Sequence, residues 1–434
     1  MSSRFHLGWF TNFSPPPWEG DFDGDAGSTW SSGTHLQDMA RALERAKFDY
    51  IMLEDSSMVS DAYRGTSEID LKYHLYAPKH DPLPVVPLLA SVTKHLGIVA
   101  TASTSFYPPY LLARTFSTLD HLSHGRVGWN IVTSSENRAA QNYGLDALYE
   151  HDARYDRADE FVKVVDALWN SWEDDALVMN RETGQYVDHT KVHTIDHVGE
   201  FYKVRGPLNT LPSPQRRPVI CQAGGSPRGR QFAAENADTI ITQARGIDKM
   251  KEFRDDIRAR AAAAGRNPDD IKLLYIVSPV LGVTDEEAQA KAAAKKNSEA
   301  DRIDYALAHL SALTEIDFSQ FDLDKPLPQV ETNGHRTTLA EFVRSGDNGT
   351  KTLREIALGW NILSVDLVGS VDTVADKMGE VMAAVGGDGF LISGGVSRQY
   401  IGEITEGLVP ALQRRGLVRT EYTHDHFRDN LLDF

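Results

Sequence analysis

Three stretches of the chain bring together side chains that could do chemistry. The first is QAGGSPRGRQFAAENAD, residues 222–238, where an apolar run ends in two glycines, Ser226, Pro227 and Arg228 before a helical pattern begins. Glycines let a backbone approach a ligand closely, and the free N–H groups of a helix start attract phosphate. Gly225 and Ser226 would form such a turn, and Arg228 could add a charged fork. The spacing is not GxGxxG, and no suitable acidic residue closes a dinucleotide unit about 20 residues later. The same residues also make an ordinary β–α turn with Ser226 as N-cap, which needs no ligand. The second stretch is EHDARYDRADEF, residues 150–161. His151 and Tyr155 are four apart, so on a helix they share a face and can address one object. Asp152 suits the N-cap, which places His151 just outside the helix mouth. A solvated, charged helix start accounts for the same residues. The third is WNIVTSSEN, residues 129–137, where the Asn130 amide interrupts an apolar run. A buried amide needs partners, either neighbouring backbone or a polar ligand. Thr101, Ser103 and Thr104 crowd the end of the preceding run, and Glu54 and Asp55 end the one before that.

Metal and nucleophile chemistry find less support. His189, His193 and His197 are spaced by four, but VDHTKVHTIDHV has an extended rather than helical pattern and no HExxH is present, so no metal site is expected. Cys221 lies inside an apolar run and reads as an inert core thiol. There is no GxSxG nucleophile elbow. Aromatic residues at 9, 10, 13, 18, 106 and 107 gather near candidate strand ends. Trp9 and Phe10 among them could wall a flat ligand, and core packing explains any single one equally well.

The elements that must hold these groups alternate. Short β-branched runs at 5–10, 49–54, 97–104, 126–132, 218–222, 239–242, 272–281 and 389–393 are separated by amphipathic segments at 33–47, 82–95, 110–122, 152–172, 247–264 and 371–385. Strand–helix alternation implies parallel strands joined by crossovers, and eight in series favour a closed (β/α)8 barrel, an α/β fold. Segments 56–81, 176–211 and 298–364 break the rhythm and read as insertions into one domain spanning 1–434. Long loops in a compact barrel belong at the C-terminal face, where active sites sit.

Composition narrows the classes. The 45 Lys+Arg against 62 Asp+Glu give a formal charge of -17, which excludes a phosphate-tracking nucleic-acid protein and disfavours an anionic membrane surface. A single cysteine cannot form an internal disulfide, no apolar run reaches membrane-helix length, and MSSRFHLGWF has no long apolar core of a secretion signal. A cytoplasmic location is the expectation.

Taken together, RFHLGWFTN, HDPLPVVPLLASVTKHLGIVATASTSFYPPYLLARTFSTLDHLSHGRVGWNIVTS, EHDARYDRADEF, QAGGSPRGR, LVGSVDTVADKM and VPALQRRGLVRTEY resemble the bacterial luciferase-like, flavin-dependent monooxygenases. Within them the chain is similar to the group containing nitrilotriacetate monooxygenase component A and dibenzothiophene-sulfone monooxygenase. The resemblance spans nearly the whole chain and implies a (β/α)8 barrel that binds FMN, as FMNH2, at its C-terminal face. It implies that Asp55 and Thr101 lie near the isoalloxazine and Asn130 beside its reactive edge. His151 and Tyr155 would contact the FMN tail, and Ser226 with adjacent backbone would hold the phosphate. Family members commonly carry Ser or Ala where this chain has Gly225, and a small residue where it has Arg228, so backbone N–H groups or Arg228 would have to compensate. The implied reaction is oxygenation of a small organic substrate by O2 through a flavin (hydro)peroxide. A separate NAD(P)H:flavin reductase would supply the FMNH2, and the oxygenase would be a homodimer or homotetramer. The alternatives are a deazaflavin-dependent oxidoreductase on the same barrel or a non-catalytic flavin-binding protein.

Overall fold

Eight runs of apolar and β-branched residues form the eight parallel strands of a closed barrel in the computed structural model, which describes residues 4–18, 23–294, 298–347 and 349–434. In chain order the strands are β1 (His6–Asn12), β2 (Tyr50–Glu54), β3 (Gly97–Ser103), β4 (Val127–Val132), β5 (Val219–Ala223), β6 (Thr239–Thr242), β7 (Lys272–Val277) and β8 (Gly389–Ser393). Each pairs with its sequence neighbour, and β1 closes the ring against β8, with His6 opposite Gly389. All eight strands read from the sequence are present. The run at 272–281 is cut at Val277, because Pro279 has no N–H to continue a ladder. The chain resumes as Val280–Gly282, paired with Val368–Ser370 outside the barrel.

Alternation sorts each strand into two faces. Tyr50, Met52, Val99, Cys221, Leu274 and Leu391 share the barrel interior. Their neighbours Ile51, Leu53, Ile98, Ile220, Leu273 and Phe390 face the helical shell. That shell includes α1 (Thr34–Arg45), α2 (Pro109–Leu122), α3 (His151–Trp169), α4 (Pro227–Asn236), α5 (Ile247–Ala263) and, later in the chain, Val371–Val385. The helix expected over 82–95 is shorter, Val85–Ala90. A carboxylate ends it: Glu44 of α1 accepts from the backbone N–H groups of Lys94, His95 and Leu96 and leads the chain into β3.

The floor of the barrel is sealed by the short helix Phe427–Leu431, whose Phe427 ring joins the interior core. Gly97 makes room for it, since a Cβ there would lie 2.6 Å from that ring. Beside the floor, Asp49 is wholly buried with Arg419 at 2.8 Å and His6 at 2.9 Å, and it accepts from the N–H of Leu7. Burial pushes the Asp49 pKa up, but Arg419 and His6 outweigh it and leave it at about 2.

Above the opposite rim, segments 56–81 and 298–364 pack together. Helices α6 (Glu299–Thr314), α7 (Arg336–Ser345) and α8 (Leu353–Gly359) contribute Leu307, Leu310, Phe342 and Ile356 to a second core, which Tyr63 and Ile69 of the earlier segment complete. Segment 176–211 instead forms two small antiparallel hairpins, Leu177–Asn180 with Gln185–Val187 and His197–Val198 with Lys203–Val204, the first turning through RETG.

Candidate active site

Thr101 and Asn130 lie side by side in register on β3 and β4. The Thr101 hydroxyl donates to the carbonyl of Leu53 at 2.8 Å, so its proton is committed and its lone pairs must accept. They accept the Asn130 amide N–H at 2.9 Å, which fixes the amide orientation. The remaining atom, Asn130 Oδ1, is buried and has no hydrogen-bond partner among the described residues. An acceptor left in that state costs about 1–3 kcal/mol, so the site is short of one N–H donor. A flavin ring edge, which presents N–H and C=O groups, supplies that type of group, so the barrel mouth fits an isoalloxazine.

At the end of β2 the charges crowd. Lys79 Nζ, nearly buried, lies 2.7 Å from Glu54 Oε2 and donates to Ser56 Oγ at 2.7 Å. Burial, then the negative charge of Glu54, raises the Asp55 pKa to about 7, Lys79 only partly opposing. Glu54 takes the lysine, and Asp55 is left to carry its proton up to neutrality.

The third part is the turn from β5 into α4. Ser226 caps α4, its Oγ accepting from the N–H of Gly229 at 3.0 Å, and Pro227 follows at the first helical position. The glycines are spatial necessities: a Cβ at Gly229 would lie 2.7 Å from the Tyr155 hydroxyl, and one at Gly225 would lie 2.5 Å from Thr337 Cγ2. This cradle leaves backbone N–H groups at a helix mouth, the arrangement a phosphate needs. Tyr155 reaches it from α3, buried, with its pKa raised by that burial and its hydroxyl facing Ser226 and Thr133. His151 packs on Tyr155 at 5.4 Å between ring centroids. Burial lowers the His151 pKa, the hydrogen bond to Asp152 opposing, so the imidazole is neutral at neutral pH.

Three expectations are corrected here. Glu150, not Asp152, caps α3: its carboxylate accepts from the N–H of Asp152, and His151 becomes the first helical residue. Arg228 does not offer its guanidinium to the turn, because Asp156 and Asp159 on α3 hold it and neutralise it. Trp9 points outward into the shell, with Phe48 at 5.9 Å and Tyr400 at 5.8 Å, while Phe10, one residue on, packs against the interior core, as do Ile362 and Leu363.

Residues that sequence reasoning did not single out come mainly from the insertions. Asn333 Oδ1 accepts from the N–H of His151 at 2.8 Å, and Arg336 Nη2 donates to Glu150 Oε1 at 3.0 Å. Buried Arg154, one turn from His151, donates to the carbonyl of Asn333. His309 of α6 stacks on Tyr76 of segment 56–81 at 5.5 Å and 13°, with Trp360 at 5.6 Å. Burial lowers the His309 pKa to about 4. The only sequence signal for these was negative: polar and aromatic residues inside long, non-periodic stretches. Among the described residues, His193 and His197 pair separately with Glu173 and Glu160, and no cluster of metal-ligating side chains forms. Burial raises the Cys221 thiol far above its ordinary pKa. Among the described residues no helix is long and apolar enough to cross a membrane.

The pattern of the family described as luciferase-like monooxygenase matches residues 6–389. The chain belongs to that family. Dibenzothiophene-sulfone monooxygenase of Rhodococcus erythropolis is 40% identical over 94% of this chain and 91% of its own length. Nitrilotriacetate monooxygenase component A of Aminobacter aminovorans is 37% identical over 92% of this chain and 89% of its own. Among solved structures, a riboflavin lyase crystallised with modified FMN and riboflavin superposes with a TM-score of 0.89 at 31% identity, covering 100% of this chain and 96% of that one. In this luciferase-like monooxygenase, Thr101, Asn130, Asp55, Tyr155 and Ser226 all lie at strand ends or in the elements that follow them.

Proposed function

We propose that this luciferase-like monooxygenase is the oxygenase component of a two-component system. It takes reduced FMN from a separate NAD(P)H:flavin reductase and uses O2 to oxygenate a small organic substrate. The observation that carries this reading is the buried, unpartnered Asn130 Oδ1, held in place by Thr101, on the same rim as the glycine cradle. Nitrilotriacetate monooxygenase is named as a component A, which supports a reductase partner. Reduced flavin, when bound, supplies the electrons that activate O2. The chain's own residues do the rest. Asn130 and Thr101 orient the ring, Ser226, Tyr155 and the backbone at Gly225 bind the phosphate, and Asp55 holds a proton at its carboxyl through the acid side of neutrality. The insertions exclude water, which protects a reactive site from wasteful discharge.

The residues above the rim support one substrate class over another. Tyr76, His309 and Trp360 pack ring against ring where the insertions meet, Phe10 packs on the interior core, Lys79 is paired with Glu54, and His309 is uncharged at neutral pH. A chamber closed by these aromatic and uncharged groups would favour an uncharged flat molecule, such as an aromatic sulfone, another heterocycle or a halogenated arene, over a polycarboxylate.

The test mixes the purified protein with reduced FMN, oxygenated buffer and isotope-labelled O2. Slowed return of the oxidised-flavin absorbance, and labelled oxygen in a product from dibenzothiophene sulfone or a related arene, are the expected results. Unchanged flavin reoxidation with no label in any product sinks the reading. Turnover with a reduced deazaflavin but not with FMN moves the protein to hydride transfer.

A further inference from the structure

The phosphate-binding turn has no side chain at Gly225, and the structure fills that space from elsewhere. An ideal Cβ at Gly225 would lie 2.5 Å from Cγ2 and 2.8 Å from Oγ1 of Thr337, the second residue of α7. Thr337 therefore occupies the volume that a serine or alanine at 225 would need. Its hydroxyl makes no hydrogen bond to the described residues. The helix it opens is also unfinished: α7 spans ten residues, yet His335 at its N-cap makes no side-chain cap hydrogen bond. The first-turn N–H groups of α7 thus lack the acceptor that a serine or aspartate would normally give. Two helix mouths, α4 with Ser226 and α7 with Thr337, meet at Gly225, and both place positive dipole ends there. Arg228 is already paired with Asp156 and Asp159 through Nη2.

We propose that Thr337 donates its hydroxyl to the cofactor phosphate in place of a side chain at position 225. The chamber insertion then takes part directly in holding the cofactor tail. This inference rests on the FMN reading above and deepens it. The donor is built into a segment more than a hundred residues downstream of the turn it completes, and Asn333 and Arg336 dock that segment on the start of α3. Phosphate binding and seating of the chamber wall become one event.

Anaerobic calorimetric titration with chemically reduced FMN and reduced riboflavin separates the possibilities, because only FMN carries the phosphate. Wild-type protein should bind FMN more tightly than riboflavin. Thr337→Val keeps the shape and removes the hydroxyl; it should weaken FMN about tenfold and leave riboflavin unchanged. Thr337→Ser should bind as wild type does. Gly225→Ser should weaken FMN by collision with Thr337, and Gly225→Ser combined with Thr337→Ala should restore it to within about threefold. Unchanged FMN binding by Thr337→Val overturns the proposal, as does equal weakening of both flavins, which marks a packing role. Equal wild-type affinity for both flavins overturns it too while leaving flavin binding intact. A wild-type protein that binds neither flavin removes the cofactor reading itself.

Discussion

The barrel wall and the layer of insertions above its rim are held by different physics. In the wall, a two-residue period assigns each side chain to the interior or the shell, and hydrogen bonds between adjacent strands fix the register. In segments 56–81 and 298–364, no strand ladder fixes position among the described residues. These segments share a small core around Leu310 and Phe342 and reach the rim through a small apolar cluster of Met58, Tyr76, Ala139 and Ala312 and a set of polar contacts, such as Asn333 with His151 and Glu315 with the N–H of Asn137. A wall of that kind carries stability, and an attachment of that kind carries adjustable function. The difference teaches where substitutions will be felt.

The comparison can be broken most forcefully at the floor. Asp49→Ala leaves buried Arg419 without its carboxylate, and loss of such a partner costs about 3–5 kcal/mol. Denaturant unfolding should show a loss of that size, and a loss below about 1 kcal/mol would mean the wall does not depend on the cluster. The sign with pH follows from Asp49's depressed pKa: its stabilisation is present above about 4 and disappears as pH falls through about 2. Next in size is Leu310→Ala in the insertion core, expected to cost about 2–5 kcal/mol at the site itself. If the two regions are separable, limited proteolysis within 298–364 accelerates while the cooperative unfolding of the barrel stays near wild type. A matching fall in the main transition would show the regions to be one cooperative unit.

A smaller effect is expected at the junction. Asn130→Ala removes the unpartnered acceptor and frees Thr101, and reduced-FMN affinity should fall by about tenfold to a hundredfold with little change in melting temperature. The last effect, set by pH, is that of Asp55→Asn. Because folding raises this carboxyl to about 7, the native state keeps a proton that the unfolded chain releases near 4. Stability contributed by the protonated group is therefore lost as pH rises from about 4 to 7. Asn mimics the neutral form, so the variant's advantage should be nil near pH 4, grow up to pH 7 and then level off. Melting curves across that range check it, and a flat difference would place Asp55 in open solvent.

The same contrast explains what could be read without coordinates. Buried parallel strands write themselves as near-continuous apolar runs, so IVATAS of β3 and VGWNIV of β4 were legible, as was the polar group at each strand end. Parity was harder. Trp9 and Phe10 are both aromatic, and the choice between them turns on which face of β1 is apolar; Phe5, Leu7 and Trp9 form the shell-facing set, opposite His6 and Gly8. That alternation was available as a signal. Arg228 looked like an anion ligand because its competing partners lie some 70 residues away on α3. The contact between Gly225 and Thr337 had no local signature at all, since tertiary packing alone brings the two together.

The stacking of Tyr76 on His309 bears on how such an enzyme can be remade. The two rings come from segments separated by more than two hundred residues, yet they close the same seam. Anyone exchanging the chamber of this protein with that of a relative must therefore cut in four places and move both segments as a single cassette. A crossover that imports residues 298–364 alone would set a foreign surface against a native Tyr63, Ile69 and Tyr76, and the hybrid would inherit neither parent's specificity.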